Sequence, residues 1–196
     1  MSEPTRYFVD IQALPEKFPT NMHEPKFWES LGRAVATFGF LEETLAKAIF
    51  AFTATKPYSE DEVQKALEKW LQQLQRALSD QLWNLIKSYS KAVREHPSAT
   101  IENLEDLIVD LKKAAKVRNV ICHGSWRSPD AKGASIPFFV NQGQERFDTA
   151  IDVAWLTQLQ SHVSELICTV VSTVTHMGWQ FPGGAGPGTV IWESHK

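Results

Sequence analysis

Between Pro25 and Phe52 the apolar side chains return at three- and four-residue steps: Trp28, Leu31, Val35, Phe38, Leu45, Ile49 and Phe52. That period is the helical one, so these residues form one stripe along a long helix. A helix with a single apolar stripe is stable only when other elements cover it. Pro25 suits the first turn, where its missing N–H costs nothing. Gly32, Gly39 and Ala46 recur every seven residues beside the stripe. Glycine in a helix costs about 1 kcal/mol relative to alanine, and a closely approaching helix would give both glycines a reason. Sequence alone leaves open whether that helix belongs to the same chain or to a second copy.

The same period recurs downstream. Lys56-Pro57-Tyr58 breaks the first helix, and Ser59 with Glu62 forms a capping box. A long helical stretch, in one piece or two, follows to about Arg94 and carries Val63, Leu67, Trp70, Leu74, Leu78, Leu82, Leu85, Tyr89 and Val93, and His96-Pro97-Ser98 ends it. A third helix spans roughly Thr100 to Cys122, with Ile101, Leu104, Leu107, Ile108, Leu111, Ala114, Ala115, Ile121 and Cys122 on its apolar face. A last one runs from about Thr149 to Met177. Between them Ile136–Val140 and Glu145–Phe147 are spaced to pair around Asn141-Gln142-Gly143. The expected fold is therefore all-α: an antiparallel helical bundle of four to five helices with a small β-hairpin insert and an irregular Gly/Pro-rich C-terminal tail. The expected division is an irregular N-terminal segment (1–24), one helical domain (25–177, insert about 124–148) and a flexible or wrapping tail (178–196). The glycines and prolines of 182–188 match no phosphate-binding loop.

With 196 residues, 43% hydrophobic and 22% charged, the chain has the make-up of one soluble domain. No apolar run reaches the roughly 18 residues of a membrane span. The N-terminus lacks the basic and apolar regions of a signal peptide. Cys122 and Cys168 lie far apart on apolar helical patterns and read as buried thiols in a reducing cytoplasm. The net charge of −3 is uneven: Lys112, Lys113, Lys116, Arg118, Arg127 and Lys132 face only Asp130 between 112 and 132, leaving +5 there and −8 elsewhere. A local basic patch on an acidic body is a phosphate footprint, or else a solvated helix end with cations on its dipole.

Two charges interrupt the apolar stripes. Continued by heptads from Trp28, the first stripe meets Glu42; continued from Leu104, the third meets Arg118. A buried charge costs several kcal/mol unless paired, so the two are expected to meet, directly or around an anion. Such a pair fixes helix register, or it pre-orients a guanidinium toward phosphate. His123 lies five residues past Arg118, about 140° around an ideal helix, and shares a face with Lys112, Lys116 and Asn119. A histidine there is also a favourable helix C-terminal residue. Gly124 is expected to unwind the chain at that point.

The sequence Arg118-Asn119-x-x-x-His123 at the end of a bundle helix resembles the motif of the HEPN superfamily, an arginine and a polar residue followed by a histidine. The resemblance covers the first and third helices and the bundle around them; the 124–148 insert and the tail depart from the minimal fold. It implies a homodimer in which two motifs face one cleft, and metal-independent RNA cleavage, often by bacterial toxins or defence effectors held by an antitoxin or other protein partner. Other members of the superfamily keep the fold and only bind a nucleotide, RNA or a protein.

On that reading His123 accepts the 2′-OH proton, Arg118 stabilises charge on the phosphorane, and Asn119 orients His123 or contacts a phosphate oxygen. Glu42 supports Arg118. Lys112, Lys116 and Arg127 steer the strand, and Trp126 stacks a base or anchors the hairpin. No HExxH or cysteine–histidine cluster marks a metal site, and no cofactor motif occurs. A non-catalytic binding module and a purely structural helical dimer are the competing readings.

Overall fold

The computed structural model describes residues 7–57, 59 and 82–191. Four helices make up its body: α1 (Pro25–Ala54), α2 (Leu82–Arg94), α3 (Leu104–His123) and α4 (Val153–Thr175). Helix α1 packs against each of the other three, and α3 also touches α2 and α4. The capping box at Ser59–Glu62 and the stripe from Val63 to Leu78 lie outside the described residues.

The buried stripe of α1 is Phe27, Leu31, Ala34, Phe38, Leu41, Leu45, Ala48 and Phe52. These alternate four- and three-residue steps without a break. Of the expected stripe, Leu31, Phe38, Leu45, Ile49 and Phe52 are buried, whereas Trp28 is half-buried and Val35 is 38% exposed, with Phe27 and Ala34 in the core beside them. Small Ala34 and Ala48 let neighbouring backbones come close, and Phe27 rather than Trp28 fills the end of the core. Glu42 therefore stands on the border of the stripe and not within it. In the second stretch Leu82, Leu85, Tyr89 and Val93 are buried as expected.

The helix ends that meet fix the directions of the four described helices. The C-terminal ends of α1 and α2 meet, with Thr55 Oγ1 3.3 Å from His96 Nε2 and Lys56 paired to Glu95 at 3.3 Å. Arg94 at the end of α2 grips Glu105 at the start of α3 with 2.7 and 2.8 Å bonds from Nη2, so α3 turns back. The start of α4 lies near the start of α1, where Ser135 pairs with both Ile151 and His23. Only α3 thus runs against the other three. Tyr89 and Thr173 join α2 to α4 through a buried 2.9 Å hydroxyl pair. Asp152 caps α4 by accepting the Trp155 N–H at 2.7 Å.

The segment between α3 and α4 forms no strand among the described residues. It closes through isolated antiparallel bridges, Ser125 to Phe138, Ser135 to Ile151 and Val140 to Arg146. The turn at 141–144 falls where the sequence placed it, with the Gln144 N–H donating to Asn141 O at 3.0 Å. Beyond α4, Trp179 packs edge-on against Phe52 and His96, and Phe181 and Ile191 also lean on the core. The described tail therefore wraps the bundle. No described helix is long and apolar enough to cross a membrane.

Candidate functional site

Helix α3 carries the motif. It stays helical through His123, and the Gly124 N–H closes the last turn onto Val120 O at 2.8 Å. The chain leaves the helix at Gly124, whose φ of −69° and ψ of 137° are extended and not left-handed backbone. Its lack of a side chain matters for space, because a Cβ there would lie 2.5 Å from Val120 O and 2.8 Å from Pro137 Cβ. The glycine stop is real, but crowding rather than left-handed backbone requires it.

An unbroken helix fixes two faces. Lys112, Lys116, Asn119 and His123 share one, with Lys112 half-buried and the other three exposed. Arg118 lies about 140° around from His123, on an edge toward α1. There its Nη2 stands 3.5 Å from Glu42 Oε1, with the two side chains 28% and 27% exposed. The expected meeting of the two charges occurs, at the rim of the core. It is loose: Glu42 Oε1 is fully covered yet has no hydrogen-bond partner among the described residues. Burial pushes the Glu42 carboxyl above the ordinary glutamate range, and the Arg118 charge offsets only part of that.

Cys122 follows Arg118 by one turn. It and Cys168 are exposed and unpaired, against the expectation of buried thiols, because each sits at the margin of its helix's apolar face. Partial desolvation still pushes the Cys122 thiol up, with Arg118 pulling down and Glu42 pushing up. A raised thiol is a poor nucleophile at neutral pH.

Trp126 is half-buried in an aromatic cluster with Phe27, Trp28 and His23, at ring distances of 4.9, 6.5 and 6.2 Å. It anchors the segment after α3 to the start of α1. Arg127 is exposed and lies over the Phe138 ring, 5.2 Å from its centroid.

Two groupings had no local signal in the sequence. Arg146 also lies over Phe138, at 5.5 Å. His23, buried and stacked on Phe27, pairs through Nε2 with Ser135 Oγ at 2.9 Å across 112 positions. Burial holds the His23 pKa below its ordinary value. Among the described residues no acidic side chain orients that histidine, so the pair reads as a satisfied polar contact under the 124–152 segment. Among the described residues no group of three or more His, Cys, Asp or Glu side chains is placed to hold a metal ion. No protein-family model matches the chain, and neither a curated protein nor a solved structure matches it.

Proposed function

We propose that the chain is a HEPN-like, metal-independent endoribonuclease, acting as a homodimer in the cytoplasm in the manner of a bacterial toxin or defence effector, with an antitoxin or other protein as its controlling partner. The observation that carries this reading is the face of α3 on which Lys112, Lys116, Asn119 and His123 stand together, with His123 exposed at the helix end. Cations spaced along a helix suit a strand of phosphates. The 2′-oxygen bonds to the adjacent phosphorus as His123 takes its proton; the bond to the 5′-oxygen breaks, that oxygen takes a proton from water, and His123 returns its own to solvent, leaving a cyclic phosphate and a 5′-hydroxyl. Because α3 is regular, Arg118 of the same chain points elsewhere, and a second subunit would supply the guanidinium.

Incubation with RNA in excess EDTA tests this. Cleavage that disappears in both Arg118→Ala and His123→Ala supports the assignment, and cleavage unchanged by both removes it.

One observation favours a second reading. Arg118 is half-buried and engaged by Glu42 on a face away from His123. A module that binds RNA or a nucleotide without cleaving it needs the basic row and not their union. Saturable RNA binding without turnover is its signature.

A further inference from the structure

Arg127 and Arg146 stand over the same ring, within 5.2 and 5.5 Å of the Phe138 centroid, so their guanidinium carbons are at most about 11 Å apart. Neither is in an ion pair among the described residues. Both line an open cleft of about 400 Å³, together with Ser128, Pro129, Asp130 and Ser135. The bridges at Ser125–Phe138 and Val140–Arg146 bring the two arginines together from 19 positions apart in the chain.

We infer that this cleft is a phosphate site for a strand of RNA, with Arg127 and Arg146 as its two grips. The inference rests on the reading that RNA is the ligand, and it adds a binding point outside the α3 motif. Two like charges over one ring repel unless an anion sits between them. A guanidinium held over an aromatic face keeps its N–H edge for a bidentate partner, the geometry of phosphate recognition. Asp130, the one acid lining the cleft, has its Oδ1 tied to the N–H groups of Lys132 and Ala134 at 2.8 and 3.0 Å. Those bonds hold Asp130 charged, and two arginines against that one acid leave the lining side chains with a net positive charge. Ser135 is fixed from behind by His23, which gives the cleft a rigid wall. A strand rather than a lone carboxylate is favoured because the cations continue: four residues before Arg127 lies the row ending at His123, which spans about 16 Å of helix back to Lys112.

The test is fluorescence anisotropy with a short 2′-O-methyl single-stranded RNA, which binds but lacks the nucleophile for cleavage. The full chain is titrated at several salt concentrations, with Arg127→Ala/Arg146→Ala and Arg127→Lys/Arg146→Lys as variants. The alanine pair should bind roughly tenfold or more weakly and lower the salt slope by about 1.4. The lysine pair should keep the slope and lose part of the affinity, because an ammonium lacks the fork. Wild-type affinity and slope in the alanine pair would overturn the site, as would failure of the wild-type chain to bind. If the alanine pair melts several degrees lower, the lysine pair decides, and wild-type affinity there overturns the bidentate grip. A nucleoside monophosphate or an acidic peptide that displaces the RNA at comparable concentration overturns the strand assignment. Ordinary RNA that binds through these arginines but is never cleaved removes the ribonuclease reading and leaves this site standing.

Discussion

Arg118 Nη2 and Glu42 Oε1 face each other at 3.5 Å across α1 and α3, on an edge of α3 about 140° from His123. The distance is long for a charge-assisted bond, and the carboxylate oxygen is covered without a hydrogen bond. Such a pair holds a guanidinium in place without neutralising it. It is the arrangement expected of an arginine kept for another partner, and equally of a register pin that packs imperfectly.

Replacing Glu42 separates those roles. Its pKa is raised mainly by desolvation. A raised carboxyl leaves stability intact below the ordinary glutamate pKa of about 4.3 and removes it as pH rises through the folded value. Glu42→Gln should therefore match the wild type near pH 4 and melt up to about 2–4 °C higher at pH 7, a difference of less than about 1 kcal/mol after solvent screening. Thermal unfolding at both pH values checks this. A variant less stable at pH 7 than at pH 4, relative to wild type, would show that the ion pair outweighs the desolvation.

Gly124→Ala should destabilise the chain by about 1–3 kcal/mol, because the new Cβ meets a backbone oxygen at 2.5 Å and a proline ring carbon at 2.8 Å. Urea unfolding reads the loss. An unchanged midpoint would mean that the turn into the 124–152 segment shifts freely, and that the anchoring by Trp126 is weak.

The elements that depend on local period were legible. The stripe of α1, the end of α3 at a glycine and the meeting of Glu42 with Arg118 all follow from apolar spacing and its interruptions. The places of Ala34 and Ala48 in that stripe were not, because alanine carries little hydrophobic signal although both are buried as deeply as their neighbours. His23 with Ser135, and Arg127 with Arg146, are joined only by the closed fold, so no short-range pattern announces them.

Tyr89 gives a clean reading of the core. Its hydroxyl meets Thr173 Oγ1 at 2.9 Å, and burial pushes its pKa up to about 12. Tyr89→Phe should cost about 1 kcal/mol at pH 7, a modest loss because Thr173 still donates to Val170 O at 2.7 Å. A raised phenol contributes fully below the ordinary tyrosine value near 10 and loses that contribution as pH rises toward 12. The gap between wild type and variant should thus close in that window, as followed by chemical denaturation. A gap that persists to pH 12 would place the hydroxyl in contact with solvent.

The regularity of α3 makes the subunit question decisive for the proposed chemistry. If Arg118 of one chain serves His123 of the other in the shared cleft, both Arg–His pairs of each single variant are broken. Mixing the Arg118→Ala and His123→Ala proteins under exchanging conditions yields about half mixed dimers, and one of the two Arg–His pairs in each would be complete. RNA cleavage in EDTA should then recover to about a quarter of the wild-type rate. Separate variants would stay inactive, and a mixture no more active than its components would show that the two groups do not complement each other across subunits. Gel filtration of the mixture distinguishes failure to exchange from failure to complement, since tagged and untagged chains that co-elute as one dimer yet cleave nothing leave the shared cleft without support.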